Sequence, residues 1–382
     1  MSANATRRRT TAIALAAGLT AGATLALCGC GSKGGSDAAA SSAASPRTSA
    51  STPADTASAT ASPSASPSAS PSASGTAGAG SGGSAASAPG QSARTAASTA
   101  PLNGTKGTGL TISDGSRYVV MNGTRVDFGT PVRDLSWSPD GRRAAFVDGA
   151  GDLAVSRPDG TGRVVVARDT GGQVWSHPAW LTRAASPQDS LPPLDELVFT
   201  AAGPGAGGTT RLYSVPASGG TPQLLGLSGE PGGSDVKPLP KTGNTWAAGG
   251  GDAGTIVYEN TADGQVYIRD DNLRQQGSAL TKGSEPTLAG GENADDEGSE
   301  IVFVRSVDGH DHLFAGHFTA DGPVYQDLTP HAATNYAEPA LSPDGRQIAA
   351  RTPDGVVVLP ADGSAAPVRV SGYHGLPAYR RS

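Results

Sequence analysis

An all-β fold, built as a closed ring of repeated four-stranded units, is predicted by three features of this chain. Residues 135–147 read as two short strands around Ser138-Pro139-Asp140-Gly141, and the pattern returns within residues 339–349 as Ser342-Pro343-Asp344-Gly345. Pro presets φ at the second turn position, Asp suits the third, and Gly accepts the positive φ that closes the turn. Residues 133–168 divide into four strands at Pro139-Asp140-Gly141, Gly149-Ala150-Gly151 and Pro158-Asp159-Gly160, which is the dimension of one propeller blade. The first folded segment has three strands and lacks an inner one, whereas the last, residues 373–379, supplies an inner strand alone. The two fragments complete each other. The fold expected is therefore a six-bladed β-propeller whose N- and C-terminal strands share one blade, preceded by a signal peptide and a disordered linker.

Composition limits the folded part to one domain. Of 382 residues, 54 are Gly and 29 Pro, and before residue 108 Gly, Ser, Ala, Pro and Thr dominate, leaving little apolar surface to bury. Residues 108–382 are the size that an all-β fold fills as one domain. The net charge is −6, and three of the basic residues, Arg7, Arg8 and Arg9, stand at the extreme N-terminus. A mildly acidic body without a basic stripe argues against nucleic acid as a partner. It also removes attraction to anionic lipid, so membrane attachment has to be covalent.

Residues 1–29 read as a signal peptide: the three arginines, then an apolar stretch over 11–27 whose Gly and Thr suit an h-region better than a membrane span. The only two cysteines follow in Leu27-Cys28-Gly29-Cys30-Gly31, which resembles the lipobox of bacterial lipoproteins. That resemblance implies acylation of Cys30, with Cys28 as the second placement. An ordinary secretory peptide is the competing reading, and twin-arginine export lacks the usual apolar residues after Arg8-Arg9. Diacylation gives the two chains that stable anchoring needs. One cysteine held as a thioether leaves no disulfide framework. Residues 30–107 form a tether, with a Ser-Pro-Ser-Ala repeat over 61–74. It reaches about 50 Å as a flexible coil and about 240 Å as extended polyproline II, serving as a stalk through the cell wall or as a plain spacer.

The blades follow in order. Strands at 108–112, 116–121 and 124–128 are joined by Asp114-Gly115 and by Asn122-Gly123, a strong hairpin signal. The complete unit at 133–168 comes next. A second opens at His177-Pro178-Ala179-Trp180 and continues at 194–200, 210–215 and 221–225, with a Pro-rich insert over 186–193. In the third, an ill-marked inner strand near 238–248 precedes a clear hairpin of 255–260 and 265–270. The fourth runs through 285–289, 300–306, 312–319 and 323–328, and the fifth through 338–342, 346–352, 355–360 and 367–371. Residues 375–379 then pair with 109–113 to close the ring, removing edges that invite aggregation.

These repeats resemble the six-bladed propeller of the TolB family, whose signature is a Trp-Ser-Pro-Asp-Gly hairpin. The matching residues are Trp137, Ser138, Pro139, Asp140 and Gly141, and Leu341, Ser342, Pro343, Asp344 and Gly345. The family's preceding α/β domain has no counterpart, its place being taken by the tether. The signature residues are structural, with Asp140 and Asp344 accepting backbone hydrogen bonds in their turns.

Catalytic signals are weak. His310, His312 and His317 have a spacing that superficially suits a metal, but Asp308-Gly309 is a hairpin turn, and a wet blade tip is the expected setting. Asp295-Asp296-Glu297 lacks the Gly spacing of a calcium loop and reads as a solvated linker. The folded part has no Gly-x-Ser-x-Gly elbow, free cysteine, Walker loop or dinucleotide fingerprint. His177 stands where it would line the central channel or pack in the core. Trp137, Trp175, Trp180 and Trp246 offer aromatic surface, with inter-blade core the default for Trp137 and Trp180. No metal, cofactor or catalytic residue is expected.

The function expected is that of a membrane-anchored extracytoplasmic lipoprotein, a monomer acting as a scaffold for an envelope or cell-wall protein. A propeller that binds a small molecule or glycan is the alternative, and a propeller hydrolase or lyase the second; the latter predicts titratable groups converging at one channel mouth.

Overall fold

The computed structural model describes residues 101–204, 209–228, 238–251, 254–270, 276–289, 301–319 and 322–381. Cys28, Cys30, the signal peptide, the tether as far as residue 100, and Asp295-Asp296-Glu297 lie outside these residues. The described residues form six four-stranded antiparallel sheets. The outer three strands of blade I are β1 (Leu110–Ser113), β2 (Tyr118–Met121) and β3 (Thr124–Asp127). Blade II is β4 (Arg133–Trp137), β5 (Ala144–Val147), β6 (Leu153–Ser156) and β7 (Val164–Ala167). Blade III is β8 (Val174–Arg183), β9 (Leu194–Ala202), β10 (Thr210–Pro216) and β11 (Gln223–Leu224). Blade IV is β12 (Asn244–Gly250), β13 (Thr255–Asn260), β14 (Gln265–Asp270) and β15 (Gln276–Lys282). Blade V is β16 (Ser284–Leu288), β17 (Ile301–Val307), β18 (His310–Thr319) and β19 (Gly322–Asp327). Blade VI is β20 (Ala337–Leu341), β21 (Gln347–Thr352), β22 (Gly355–Pro360) and β23 (Val368–Ser371), and β24 (Leu376–Tyr379) returns as the inner strand of blade I.

The closure has the predicted partners. Leu110 opposes Tyr379 and Ser113 opposes Leu376. The Thr111 hydroxyl donates to the Ala378 carbonyl at 2.9 Å and receives the Trp137 indole N–H at 2.9 Å, tying the shared blade to blade II. Beyond β24, the Arg380 N–H donates to the Gly109 carbonyl and the Arg380 guanidinium to the Gly141 carbonyl.

The apolar core lies between the blades, and strand alternation puts it there. In β5, Ala144 and Phe146 pack toward blade I, whereas Ala145 and Val147 pack toward blade III. Sheets covered on both sides need apolar residues at consecutive positions, and β1, β5 and β6 are buried throughout. Trp137 joins the layer between blades I and II, and Trp175 and Trp180 the layer between II and III.

The structure revises several boundaries. Residues 101–107, assigned by sequence to the tether, are held against the ring: Gly104 donates to Val370, Gly372 donates to Leu102, and Thr105 is buried. This short strip covers the outer edge of β23. The sequence reading left blade IV without an outer strand, which β15 supplies. β8 is longer than predicted, and β11 spans two residues instead of five. β12 ends in Gly249-Gly250 because its neighbours press on it. A Cβ on Gly249 would meet the Trp180 carbonyl oxygen, and one on Gly250 the Leu288 side chain.

Both signature turns are wired alike. In one, Asp344 Oδ1 accepts from the Ser342 hydroxyl at 2.6 Å and from the Arg346 N–H at 3.2 Å; in the other, Asp140 Oδ1 accepts from Ser138 at 2.6 Å and from Arg142 at 3.0 Å. The Ser342 hydroxyl, against the opposing effect of burial and helped by the Arg346 N–H, holds the Asp344 carboxyl below its ordinary range. A folded-state value below the unfolded one stabilises above about pH 4, and that contribution disappears as acid protonates the group. Asp344→Ala is expected to cost about 1 kcal/mol at pH 7 and less at pH 3, as read from urea melts at both values; an equal loss at both would refute the charge argument.

Candidate functional site

Five of the six inner strands begin with the same irregularity. The ladder slips by one residue between β4 and β5, β8 and β9, β12 and β13, β16 and β17, and β20 and β21. At each slip a residue with a Cβ adopts positive φ: Asp134 (55°), His177 (50°), Trp246 (53°), Glu285 (50°) and Glu338 (54°). The sixth equivalent, Leu376, sits in a regular ladder. Such bulges re-aim a side chain, and non-glycine residues in this region carry strain that surrounding contacts must hold. The next residue in each strand, Leu135, Pro178, Ala247, Pro286, Pro339 and Pro377, is buried, whereas all six residues of the ring are half-buried.

The holding contacts pass from blade to blade. Asp134 Oδ2 accepts the His177 N–H at 3.1 Å, the Thr200 hydroxyl the Trp246 N–H at 3.1 Å, Glu259 Oε2 the Glu285 N–H at 2.5 Å, and Glu285 Oε2 the Glu338 N–H at 2.5 Å. Glu338 is gripped by Arg351 of its own blade, Nε to Oε2 at 2.5 Å and Nη2 to Oε1 at 2.7 Å. The His177 and Trp246 rings lie 3.9 Å apart, tilted by 36°. Behind the ring, residues from all six inner strands line an axial cavity of about 190 Å³. Ser136, Ala179, Ala248, Thr287, Ala340 and Ala378 form its small-residue wall, and Arg381 stands among its lining residues past the end of β24.

Burial pushes the Glu285 carboxyl up to about 7; the Glu338 N–H opposes the rise, the charges of Glu338 and Glu259 add to it, and Arg351 opposes it. Burial likewise raises Glu259, against the hydrogen bond from Glu285. It lowers His177, although Asp134 and, from the opposite blade, Glu338 favour its charged form. The neutral imidazole keeps its Nδ1 buried without a hydrogen-bond partner. A carboxyl raised in the folded state stabilises fully below its unfolded value, and that contribution is lost as pH climbs toward 7. Glu285→Gln, which retains an acceptor for the Glu338 N–H, is expected to gain on the parent protein between about pH 5 and pH 8. The gain should be on the order of 2 kcal/mol. A difference in melting temperature that does not vary with pH would exclude this.

Of the residues singled out by sequence, His177 and Trp246 both line the cavity. Trp137 and Trp180 also border it, although both rings are held in inter-blade core, as is Trp175. Trp137, Ser138, Pro139, Leu341 and Pro343 border the cavity at the strand ends opposite the ring, as parts of the structural turns. The histidine cluster resolves differently from the wet turn expected. His310 meets the Asn335 side chain, but His312 is buried in β18 with Nδ1 2.9 Å from Asp327 Oδ2. Among the described residues no three His, Cys, Asp or Glu side chains stand together as metal ligands. Sequence reasoning missed Asp134, Glu259, Glu285, Glu338 and Arg351. The available signal was the residue ahead of each Pro-Ala or Pro-Thr pair, as in His177-Pro178-Ala179, Glu285-Pro286-Thr287 and Glu338-Pro339-Ala340.

No family model and no curated protein matches the sequence. Among solved structures, the chain is similar to a protein described as a TolB from Agrobacterium tumefaciens, 18% identical over 70% of this chain and 91% of that one, with a TM-score of 0.45. It is also similar to TolB from Acinetobacter baumannii, at 17% identity and a TM-score of 0.47, over 71% of this chain and 65% of that one. A third is a GH74 enzyme from Niastella koreensis, at 14% identity over 71% and 45% of the two chains, with a TM-score of 0.42. The likeness is one of fold.

Proposed function

We propose that this chain is an extracytoplasmic propeller, anchored by lipid at Cys30, that captures a protein partner without chemical turnover. The partner site is the mouth ringed by Asp134, His177, Trp246, Glu285 and Glu338. The observation that supports this most is the repeated slip, which turns five side chains of unlike chemistry onto one rim at the expense of backbone strain. The carboxylates of that rim are oriented by blade-to-blade hydrogen bonds and, at Glu338, by Arg351, which suits a preorganised recognition surface. The signal sequence and Cys30 supply the address, and the Ser-, Ala- and Pro-rich segment supplies reach.

A photo-reactive residue at Leu376, on the rim, is expected to capture one stoichiometric envelope or cell-wall protein in cells, whereas the same probe at the exposed Val324 of β19 should not. Capture at neither position, or equally at both, would overturn the assignment of the rim. Cys30→Ser should release the protein or leave it unprocessed; retained anchoring would overturn the lipid assignment.

A second reading, small-molecule or glycan binding, is favoured by the Trp246–His177 stack beside the cavity. It predicts that the Leu376 probe captures no protein while a ligand copurifies.

A further inference from the structure

We propose that the group received at this mouth is an organic cation, an alkylammonium or guanidinium, which Asp134 and Glu285 attract by charge and Trp246 contacts through its ring. This rests on the reading that the rim is the binding site, and it names the chemistry recognised there.

The charges on the rim do not cancel. Asp134, Glu285 and Glu338 are acidic, with Glu259 behind them, and the cation that shares this group, Arg351, is spent bidentately on Glu338. His177 adds no positive charge, since burial favours its neutral form. Along the cavity, Asp134 is the acid among the lining residues, on the ring side, and Arg381 lies toward the opposite end. A cation is therefore drawn to the ring side, as in clefts where low-dielectric walls focus a field.

The geometry selects a diffuse cation over a metal. One oxygen of Asp134, Glu259 and Glu285 is already engaged by a backbone N–H, and no three ligand-type side chains are grouped for chelation among the described residues. A carboxylate so held keeps another oxygen to accept a single hydrogen bond, which an ammonium or guanidinium N–H donates readily. Trp246 is half-buried against His177, and indole is the best aromatic partner for a cation. The small wall residues leave room behind the ring for an aliphatic stem. Glu285 faces Glu338, Glu259 and Arg351. A cation placed beside it stabilises its charged form, so binding at neutral pH releases a proton.

The test is calorimetry on the full chain with N-acetyl-lysine methylamide and with agmatine, using N-acetyl-norleucine methylamide as the neutral control. Both cations are expected to bind and the control at least about tenfold more weakly, with Asp134→Asn, Glu285→Gln and Trp246→Leu each weakening the cations about fivefold or more. The first two variants retain the oxygen that accepts the blade-to-blade bond, and a single cooperative melting transition in each verifies that they fold. The binding heat should depend on buffer ionisation in the parent protein and lose that dependence in Glu285→Gln, a signature that a merely structural Glu285 would not give. Equal binding of the neutral control, unchanged affinity in Asp134→Asn and Glu285→Gln, or no heat from either cation at 10 mM would each overturn the proposal. Capture from Leu376 identifies the source. Agmatine that competes with the captured protein shows the cation to be that protein's basic side chain; cation binding with no captured protein shows a free amine. Capture that agmatine leaves untouched, in a protein that fails to bind either cation, would sink the cation and leave the rim as the partner site.

Discussion

A chain ending at Gly375 is expected to lose cooperative folding. Removing residues 376–382 takes away β24 and with it four paired positions of the closing ladder. It also strips the Thr111–Ala378 bond and both Arg380 bonds, to Gly109 and to Gly141. At about 1 kcal/mol for each hydrogen bond, plus the exposure of Leu110 and Ile112, which are wholly buried in the intact ring, the loss approaches the 5–15 kcal/mol that a domain has in total. The opened β1 also presents an unpaired edge, the usual template for aggregation. Differential scanning calorimetry and size-exclusion chromatography should show a broad or absent transition and high-mass species. A sharp transition within about 3 °C of the parent protein would mean that the six blades hold together without their clasp.

Gly249→Val is expected to cost at least about 3 kcal/mol, a fall of roughly 6–12 °C in melting temperature for a domain of this size. β12 passes so close to β8 that a Cβ at this position would collide with the Trp180 carbonyl oxygen, a backbone atom that no rotamer change can move aside. Relief requires blades III and IV to part, which also disturbs the buried layer of Leu181, Leu212, Ile256 and Tyr258 between them. Gly226→Ala serves as the control, since a Cβ there meets nothing within 4 Å and φ is unremarkable; its melting temperature should stay within about 1–2 °C of the parent value. Comparable losses in both variants would show that glycine content, and not the close approach, sets the effect. Because Trp246 lies three residues upstream on β12, Gly249→Val should also shift the emission of that indole before global unfolding.

Much of this ring was legible because its turns and its alternation carry direct chemical signals. Asn122 and Gly123 both take positive φ, at 49° and 77°, as an Asn-Gly hairpin requires. The paired Ser-Pro-Asp-Gly turns and the unmatched terminal strands fixed the number of blades. The missed strand β15 reads Gln-Gly-Ser-Ala-Leu-Thr-Lys, with little β-branched or aromatic content to mark it, and β12 hides behind the glycines that its close packing demands. His312 escaped because a polar residue in a ladder looks like a turn tip until its partner, Asp327 on the next strand, is placed. The rim was the least visible part. A bulge needs no glycine when neighbouring blades supply the acceptors, so Asp134, Glu285 and Glu338 left only the weak mark of an acid ahead of an apolar residue, and Arg351 became relevant only through Glu338.

The strip at Leu102–Gly104 gives the molecule a mechanical character. Any tension arriving at Pro101 from the segment before it is borne first by two backbone bonds, Gly104 to Val370 and Gly372 to Leu102. A peeling load breaks these one after the other, and next meets Thr105, whose hydroxyl binds Asn103 and Gly123. The strip thus acts as a fuse: a tug lengthens the leash by a few residues, while β1 and its closing partner stay unloaded until the side chain of Thr105 is pulled free.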